Sequence, residues 1–172
     1  MRGHSSQLEP VSSETHLFAS WLIAAKMTRE PRDCRLVALS GILPDLDGAG
    51  IVVDLVKLAT GANNEFYFYG RYHHYLLHGI FGALIIAGSM ACFARDKIRV
   101  FFWSFLLVHL HLLCDLVGSR GPDRLDIWPV FYLGPFSNRW LGCCVGQWPW
   151  DGGTKYTVSL AFVTLFVGVA LP

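Results

Sequence analysis

Charged residues are scarce in this chain. Lys and Arg number 14, Asp and Glu number 13, and together they make up 16% of the 172 residues, whereas soluble domains carry about 25%. Hydrophobic residues reach 53%, and the mean hydropathy is +0.40. This composition argues against an ordinary soluble domain. It predicts one membrane-embedded domain over residues 1–172, in which residues 1–14 form a flexible tail.

A strong net charge is also missing. The formal net charge is +1, so the basic surface of a nucleic-acid-binding protein is not expected. The five cysteines include no CxxC pair, which argues against a zinc ribbon or a dithiol redox motif. Three cysteines fall in apolar runs and are expected to pack as small core residues, and two others are adjacent to each other: Cys34, Cys92 and Cys114, then Cys143 and Cys144.

Long apolar runs, in contrast, are present. Two of them, residues 76–94 and 100–118, approach the roughly 20 residues that a spanning helix needs, and a third covers residues 156–172. Other apolar segments are too short to cross a bilayer alone: residues 16–27, 36–43 and 51–60. Pro44 ends the second of these. We therefore expect an all-α integral membrane bundle with short re-entrant or interfacial helices.

Polar side chains interrupt the apolar segments near four of their ends. If successive helices run up and down with short connections, the first start, second end, third start and fourth end lie on one side of the bundle. We therefore expect these side chains to meet there. In chain order they are His16, then Asp45 and Asp47, then His73, His74 and His78, and finally His109, His111 and Asp115.

Residue spacing supports a shared metal site. His111 and Asp115 are four residues apart, as are His74 and His78, so each pair projects from one helix face. His109 lies about 200° around the helix from His111 and is expected to point elsewhere. Imidazole and carboxylate groups suit zinc, manganese or iron. The ligands expected for one or two divalent ions, with zinc favoured, are His16, Asp45, Asp47, His73, His78, His111 and Asp115.

The candidates outnumber the four ligands of a single tetrahedral zinc. The surplus indicates either two ions or one ion with catalytic and orienting groups around it. We expect Asp47 to act as a bridging ligand or general base. Arg71, Arg120 and Arg124, near the same end, are candidates to bind a phosphate, although arginines at a membrane surface also commonly reach to lipid headgroups.

A second polar pair lies in the segment of residues 51–60. Asp54 and Lys57 are three residues apart in the sequence. On a helix this spacing places two side chains on the same face. We therefore expect Asp54 and Lys57 to pair with each other rather than to join the metal site.

The order of these motifs resembles a known family. An early His followed by LPDLD, HHYLLHG, HLHLLCDLVGSRGP and WPVFYLGPFS is similar to the membrane-bound metal-dependent hydrolases of the LexA-regulated inner-membrane type. The resemblance covers about residues 15–138. The family's third motif, His-Arg-x-x-Thr-His-Ser, aligns with residues 73–79, where His74 replaces the Arg and Gly79 the Ser. The resemblance implies that His74 is an extra ligand or a catalytic group facing the phosphate.

The resemblance also implies a function. The family is distantly similar to zinc-dependent phospholipase C and to P1-type nucleases, helical enzymes that hydrolyse phosphoesters. We therefore expect a metal-dependent hydrolase of the bacterial inner membrane, whose substrate is a phosphoester in a lipid or lipid-linked molecule. The alternative is a non-enzymatic membrane protein in which a structural metal joins short helices. An open coordination position favours the enzyme, and a closed four-ligand site favours the structural role.

Basic residues predict the orientation in the membrane. The end opposite the expected cluster has two short loops that carry Lys26, Arg29, Arg32 and Arg35, and Arg95, Lys97 and Arg99. Short loops rich in Lys and Arg stay in the cytoplasm, and acidic residues count little. The loop of residues 29–35 is therefore predicted to face the cytoplasm, and the metal cluster the opposite, extracytoplasmic side.

Thiol labelling on intact cells tests this orientation. Pro31→Cys and Gly152→Cys are introduced singly in a chain without its native cysteines, and a membrane-impermeant thiol reagent is added outside. We expect labelling at position 152 and none at position 31. The reverse pattern would place the cluster in the cytoplasm.

Overall fold

The computed structural model describes residues 13–62, 67–73, 75–120, 129–139, 141, 148–149 and 153–170. Within these ranges the chain is helical, apart from one pair of two-residue parallel strands and an isolated β-bridge. The all-α prediction is therefore confirmed. The elements are α1 (Ser13–Met27), α2 (Pro31–Ser40), a 3₁₀ helix (Leu43–Ala49), α3 (Gly50–Ala59), α4 (Tyr67–Tyr72), α5 (Ile80–Cys92), α6 (Lys97–Val117), β1 (Ser119–Arg120), β2 (Trp148–Pro149) and α7 (Gly153–Ala170).

Helix α6 is the central element. It has 21 residues, about 31 Å at 1.5 Å per residue, which matches the hydrocarbon core of a bilayer. Asp96 caps the N-terminus of α6: its side chain accepts a hydrogen bond from the backbone N–H of Arg99. On one side α6 packs against α1 and α2 through Ala24, Val37 and Leu107. On another side it packs against α5 and Val130.

Helix α5 is shorter than the sequence predicted. The apolar run of residues 76–94 yields a helix of only 13 residues, Ile80–Cys92, about 20 Å long. The run is not helical from its start, because the backbone at Gly79 is extended and the N–H of Ile80 donates to the carbonyl of Tyr132 at 2.9 Å rather than to a preceding turn. The tertiary contact therefore overrides the apolar pattern, and α5 alone is too short to span the membrane.

One helix is clearly long and apolar enough to cross a membrane by length and composition, and this is α6. Helix α2 and the stretch Leu43–Ala59 meet the same criterion together, but they are bent by 49° at their junction. Apolar helices below that length are Ile80–Cys92 and Tyr156–Val169. The described part of the chain thus contains one or two candidate spans, fewer than the sequence predicted.

The N-terminal and C-terminal helices contact each other. The ring of Phe166 in α7 packs against the rings of Phe18 and Trp21 in α1. The hydroxyls of Thr15 and Ser159 form a hydrogen bond of 2.9 Å between the same helices. Residues 13 and 14, assigned to a tail from the sequence, belong to α1.

Asp54 and Lys57 do not pair with each other, contrary to prediction. The carboxylate of Asp54 is buried and accepts hydrogen bonds from the backbone N–H groups of Phe68 and Tyr69, at 3.1 and 2.7 Å. These are the first N–H groups of α4, which have no partner within the helix. The ammonium of Lys57 lies 4.3 Å from the centroid of the Phe68 ring. Both charged groups therefore fasten α4 to α3.

Asp33 fixes the loop between α5 and α6 in a similar way. Its side chain is buried in α2, and its two oxygens accept hydrogen bonds from the backbone N–H groups of Arg95 and Asp96, both at 2.9 Å. A hydrogen bond to a charged group contributes about 1.5–3 kcal/mol. Asp33 thus holds the start of α6 against the start of α2.

Replacing Asp33 is expected to destabilise the fold. Asp33→Ala removes the acceptor of two backbone N–H groups and should lower the free energy of unfolding by about 2–4 kcal/mol. Asp96→Ala, which removes an exposed helix cap, should cost about 1 kcal/mol. Thermal unfolding in detergent compares the two, and an equal loss in both variants would contradict the role of Asp33.

Candidate metal centre

Helix α6 carries two of the candidate ligands on one face. His111 and Asp115 are one helical turn apart, and both are buried, 2% and 3% exposed. Oδ2 of Asp115 lies 3.1 Å from Nε2 of His111. The other ring nitrogen of His111, Nδ1, donates a hydrogen bond of 2.7 Å to the carbonyl oxygen of Gly41. Because a carbonyl only accepts, this contact places a proton on Nδ1, and in the neutral ring it leaves a lone pair on Nε2.

The 3₁₀ helix after Pro44 supplies two carboxylates that point in different directions. Asp45 and Asp47 are two residues apart, which is about 240° of rotation in a helix of three residues per turn. Oδ1 of Asp45 lies 3.3 Å from Nε2 of His111. Asp47 faces away from His111, and its two oxygens lie 3.1 Å from Nδ1 of His73 and 3.0 Å from Nδ1 of His78.

His78 connects the two carboxylates. Its Nδ1 donates to Asp47, because an ionised carboxylate only accepts. Its Nε2 lies 3.1 Å from Nε2 of His111, 3.5 Å from Oδ2 of Asp115 and 3.8 Å from Oδ1 of Asp45. The imidazole is fully buried. As in His111, the proton on Nδ1 leaves a lone pair on Nε2 when the ring is neutral.

His16 completes the cluster from α1. Its Nε2 lies 3.4 Å from Oδ1 of Asp115, and its ring centroid lies 3.9 Å from that of His111. The side chain is buried, 4% exposed. The first helix of the chain therefore reaches the same point as α6 and the 3₁₀ helix.

These contacts make an electron-rich site. The Nε2 lone pairs of His78 and His111 face each other, and oxygens of Asp45 and Asp115 point at the same space. Buried side-chain atoms without a hydrogen bond of good geometry include, among the described residues, Nε2 of His16 and Oδ2 of both Asp45 and Asp115. Such groups are costly to bury unless something positive satisfies them. A proton shared between the rings or a metal cation meets that need.

The electrostatics of His78 agree with this description. Burial alone would lower the pKa of its imidazole, but the contacts with the carboxylates of Asp115 and Asp47 outweigh burial and raise the pKa above the usual value. The surroundings of the ring thus favour positive charge. A metal ion bound among these groups would be stabilised by the same carboxylates.

Three groups of side chains have ligand atoms within 4.8 Å of one another and could hold a metal ion. The first two share His111, and the last two share His78. All donors are imidazole nitrogens or carboxylate oxygens, the set that suits zinc, manganese or iron. The groups are His16, His111 and Asp115; Asp45, His78 and His111; and Asp47, His73 and His78.

The structure brings together every metal ligand that the sequence proposed. Their role as ligands stays a prediction, as does the role of Asp47 as a base. His74 and Arg124 lie outside the described residues. Arg71 and Arg120 lie in α4 and β1, but their side chains are outside the described part of the structure, so phosphate binding by the three arginines stays untested.

One part of the site was not foreseen. The carbonyl of Gly41 fixes the tautomer of His111, and a backbone oxygen leaves no signal in the sequence. Gly41 can pack this closely against α1 because it has no side chain: a Cβ there would collide with Oγ of Ser20.

His109 points away from the cluster, as the spacing predicted. Its Nδ1 contacts the carbonyl of Phe105 at 2.8 Å and its Nε2 the hydroxyl of Tyr132 at 3.0 Å.

Two histidines on the same helix provide a matched test of metal binding. His111→Ala removes a nitrogen from the centre of the cluster, and we expect metal content to fall to less than about one tenth, because losing even a residue that only orients a ligand costs about 10–100-fold in affinity. His109→Ala removes a side chain of the same kind outside the cluster and should retain the metal. Elemental analysis of purified proteins measures both, and equal losses would refute the assignment.

The comparisons with known proteins identify a family. A family model described as YdjM inner membrane protein matches residues 12–171. Comparisons with curated proteins and with solved structures give no match. The family description names a membrane and no activity, so the resemblance to hydrolases stays a prediction. The match covers nearly the whole chain, which therefore belongs to the YdjM inner membrane protein family and is a protein of the inner membrane.

Proposed function

We propose that this protein is a metal-dependent hydrolase of the inner membrane that acts on a phosphoester in a lipid or lipid-linked substrate. One observation carries the proposal. Five buried or nearly buried nitrogen and oxygen donors from four segments of the chain converge on one space: His16, Asp45, His78, His111 and Asp115. Intramembrane ionisable groups are expensive and are by default functional.

These five side chains would hold a divalent transition metal, with zinc favoured by the donor set. When bound, such an ion supplies Lewis acidity, which polarises a phosphoryl oxygen and makes water acidic enough to attack near neutral pH. The rest of the work belongs to the chain. His111 is oriented by the carbonyl of Gly41, and His78 by the carboxylate of Asp47.

Asp47 acts in this proposal as a positioning residue. Both of its oxygens are engaged by ring nitrogens of His73 and His78, and one also accepts the N–H of Leu77. It fixes the tautomers of both rings and keeps their Nε2 atoms as acceptors. This differs from the bridging or basic role expected from the sequence. It matches the pattern in which a carboxylate orients a metal-binding histidine.

Access to the cluster favours an enzyme. Asp45 is the most exposed of the five donors, with 18% of its side chain exposed, while the others are nearly inaccessible. The site is therefore least enclosed at Asp45, and a substrate and an attacking water would approach from this side. The lipid part of the substrate follows from the inner-membrane family, and the phosphoester from the motif resemblance.

A structural metal is the second candidate. It is favoured by the deep burial of four donors: His16, His78, His111 and Asp115 are 0–4% exposed. A metal bound by side chains from α1, the 3₁₀ helix, α6 and the turn before α5 would join short helices that bury little apolar surface among themselves. Metal removal would then unfold the protein.

Turnover assays on purified protein test the proposal. Wild type is expected to hydrolyse long-chain phosphodiesters in mixed micelles, to lose activity with chelator and to regain it with zinc. His109→Ala is the control that should stay active. Asp47→Asn has one acceptor oxygen for two ring N–H groups, so one histidine must adopt the wrong tautomer. We expect turnover to fall about 10–100-fold while the protein remains folded.

The opposite pattern would support the structural role. Wild type would show no metal-dependent turnover on any phosphoester, and chelator would lower its thermal stability sharply. Asp47→Asn would then change stability rather than any rate.

A further inference from the structure

Helix α3 exposes an unusually wide apolar surface. Five of its ten side chains are large, apolar and 45–60% exposed: Val52, Val53, Leu55, Val56 and Leu58. At 100° per residue they cover an arc of about 220° of the helix circumference. A helix that packs on one partner presents an apolar stripe of roughly 100°. The exposed arc is about twice as wide as one docked helix would cover.

The polar groups of α3 are turned inward or satisfied within the helix. Asp54 is buried and accepts two backbone hydrogen bonds from α4. Lys57 lies over the ring of Phe68. The hydroxyl of Thr60 donates to the carbonyls of Val56 and Lys57 in its own helix, at 2.9 and 3.2 Å. The outer arc therefore carries no charge and no hydroxyl that needs water.

The backbone polar groups at the break between α2 and the 3₁₀ helix are also paired within the protein. The N–H groups of Gly41, Ile42 and Asp45 donate to backbone carbonyls at 3.1–3.3 Å, and the carbonyl of Gly41 accepts from His111. Non-helical backbone at membrane depth is tolerated where its polar groups are paired within the protein. The bend of 49° between α2 and Leu43–Ala59 fits a broken span or a re-entrant segment.

We propose that α3 lies in the hydrocarbon of the membrane, as the second half of a re-entrant segment, with lipid chains around its outer arc. The occupant is lipid rather than a protein, because the arc is too wide for one partner and because the chain belongs to an inner-membrane family. The arc continues toward the cluster through Leu46, which is 59% exposed and adjacent to Asp45.

The position of α3 in the membrane also indicates a class of substrate, and this step rests on the proposed function. Asp45 forms the open side of the metal cluster, and α3 begins five residues later. A lipid lying along α3 would bring its headgroup to Asp45 from within the membrane. The substrate class is then a phospholipid or other long-chain phosphoester that enters sideways, rather than a water-soluble phosphoester.

Fluorescence quenching in vesicles tests the position of α3. Val56→Cys is labelled with a small fluorophore in a chain without its native cysteines, and the vesicles contain phospholipids with spin labels on their acyl chains. Leu113→Cys, 53% exposed on α6, is the control for a lipid-facing site, and Arg32→Cys, at the exposed start of α2, is the control for water. Val52→Cys replaces Val56→Cys if the latter fails to fold.

We expect the α3 probe to lose as much fluorescence as the probe on α6 and far more than the probe at position 32. Quenching at the level of position 32 overturns the proposal. If in that case the unlabelled Val56→Cys protein reacts with a water-soluble thiol reagent, α3 faces water, and if its thiol is protected, a protein covers α3. The experiment needs no turnover, so embedded α3 in an inactive protein refutes the proposed function alone, and exposed α3 in an active protein refutes this inference alone.

Discussion

The contact between Nε2 of His78 and Nε2 of His111, 3.1 Å apart, is the interaction on which the rest of the site depends. Each ring has its other nitrogen engaged as a donor, to Asp47 and to Gly41. If both rings are neutral, two lone pairs face each other inside a low-dielectric protein, with Asp45 and Asp115 beside them. Such an arrangement is unfavourable without a positive charge at its centre. The fold gathers four segments around that centre, and a shared proton or a bound metal ion would stabilise them there.

Much of this arrangement could be predicted from the sequence. The apolar run of residues 51–60 corresponds to α3, and the run of residues 100–118 to α6, within a few residues. The alternation of helix ends indicated that His16, Asp45, His78 and His111 would lie together. These predictions depend on the pattern of apolar residues and on the short connections between helices, both of which can be read from the sequence.

The parts that could not be predicted all depend on tertiary contacts. Residues 76–79 look like the start of a long helix, but the backbone is extended at Gly79 and the N–H of Ile80 pairs with the carbonyl of Tyr132 instead. Asp54 and Lys57 have the spacing of a helical ion pair, but Asp54 instead accepts hydrogen bonds from the backbone N–H groups at the start of α4. Asp47 itself has the chemistry of a ligand or a base, and only the positions of His73 and His78 show that both its oxygens are engaged.

The most direct test of the central claim is X-ray absorption spectroscopy of the purified protein at the edge of its bound metal. The account predicts nitrogen and oxygen ligands at about 2.0–2.2 Å, with the outer-shell signature of imidazole rings. That signature should be lost in His111→Ala and retained in His109→Ala. Sulfur ligands at about 2.3 Å, or a protein that is pure, folded and without stoichiometric metal, would contradict the account.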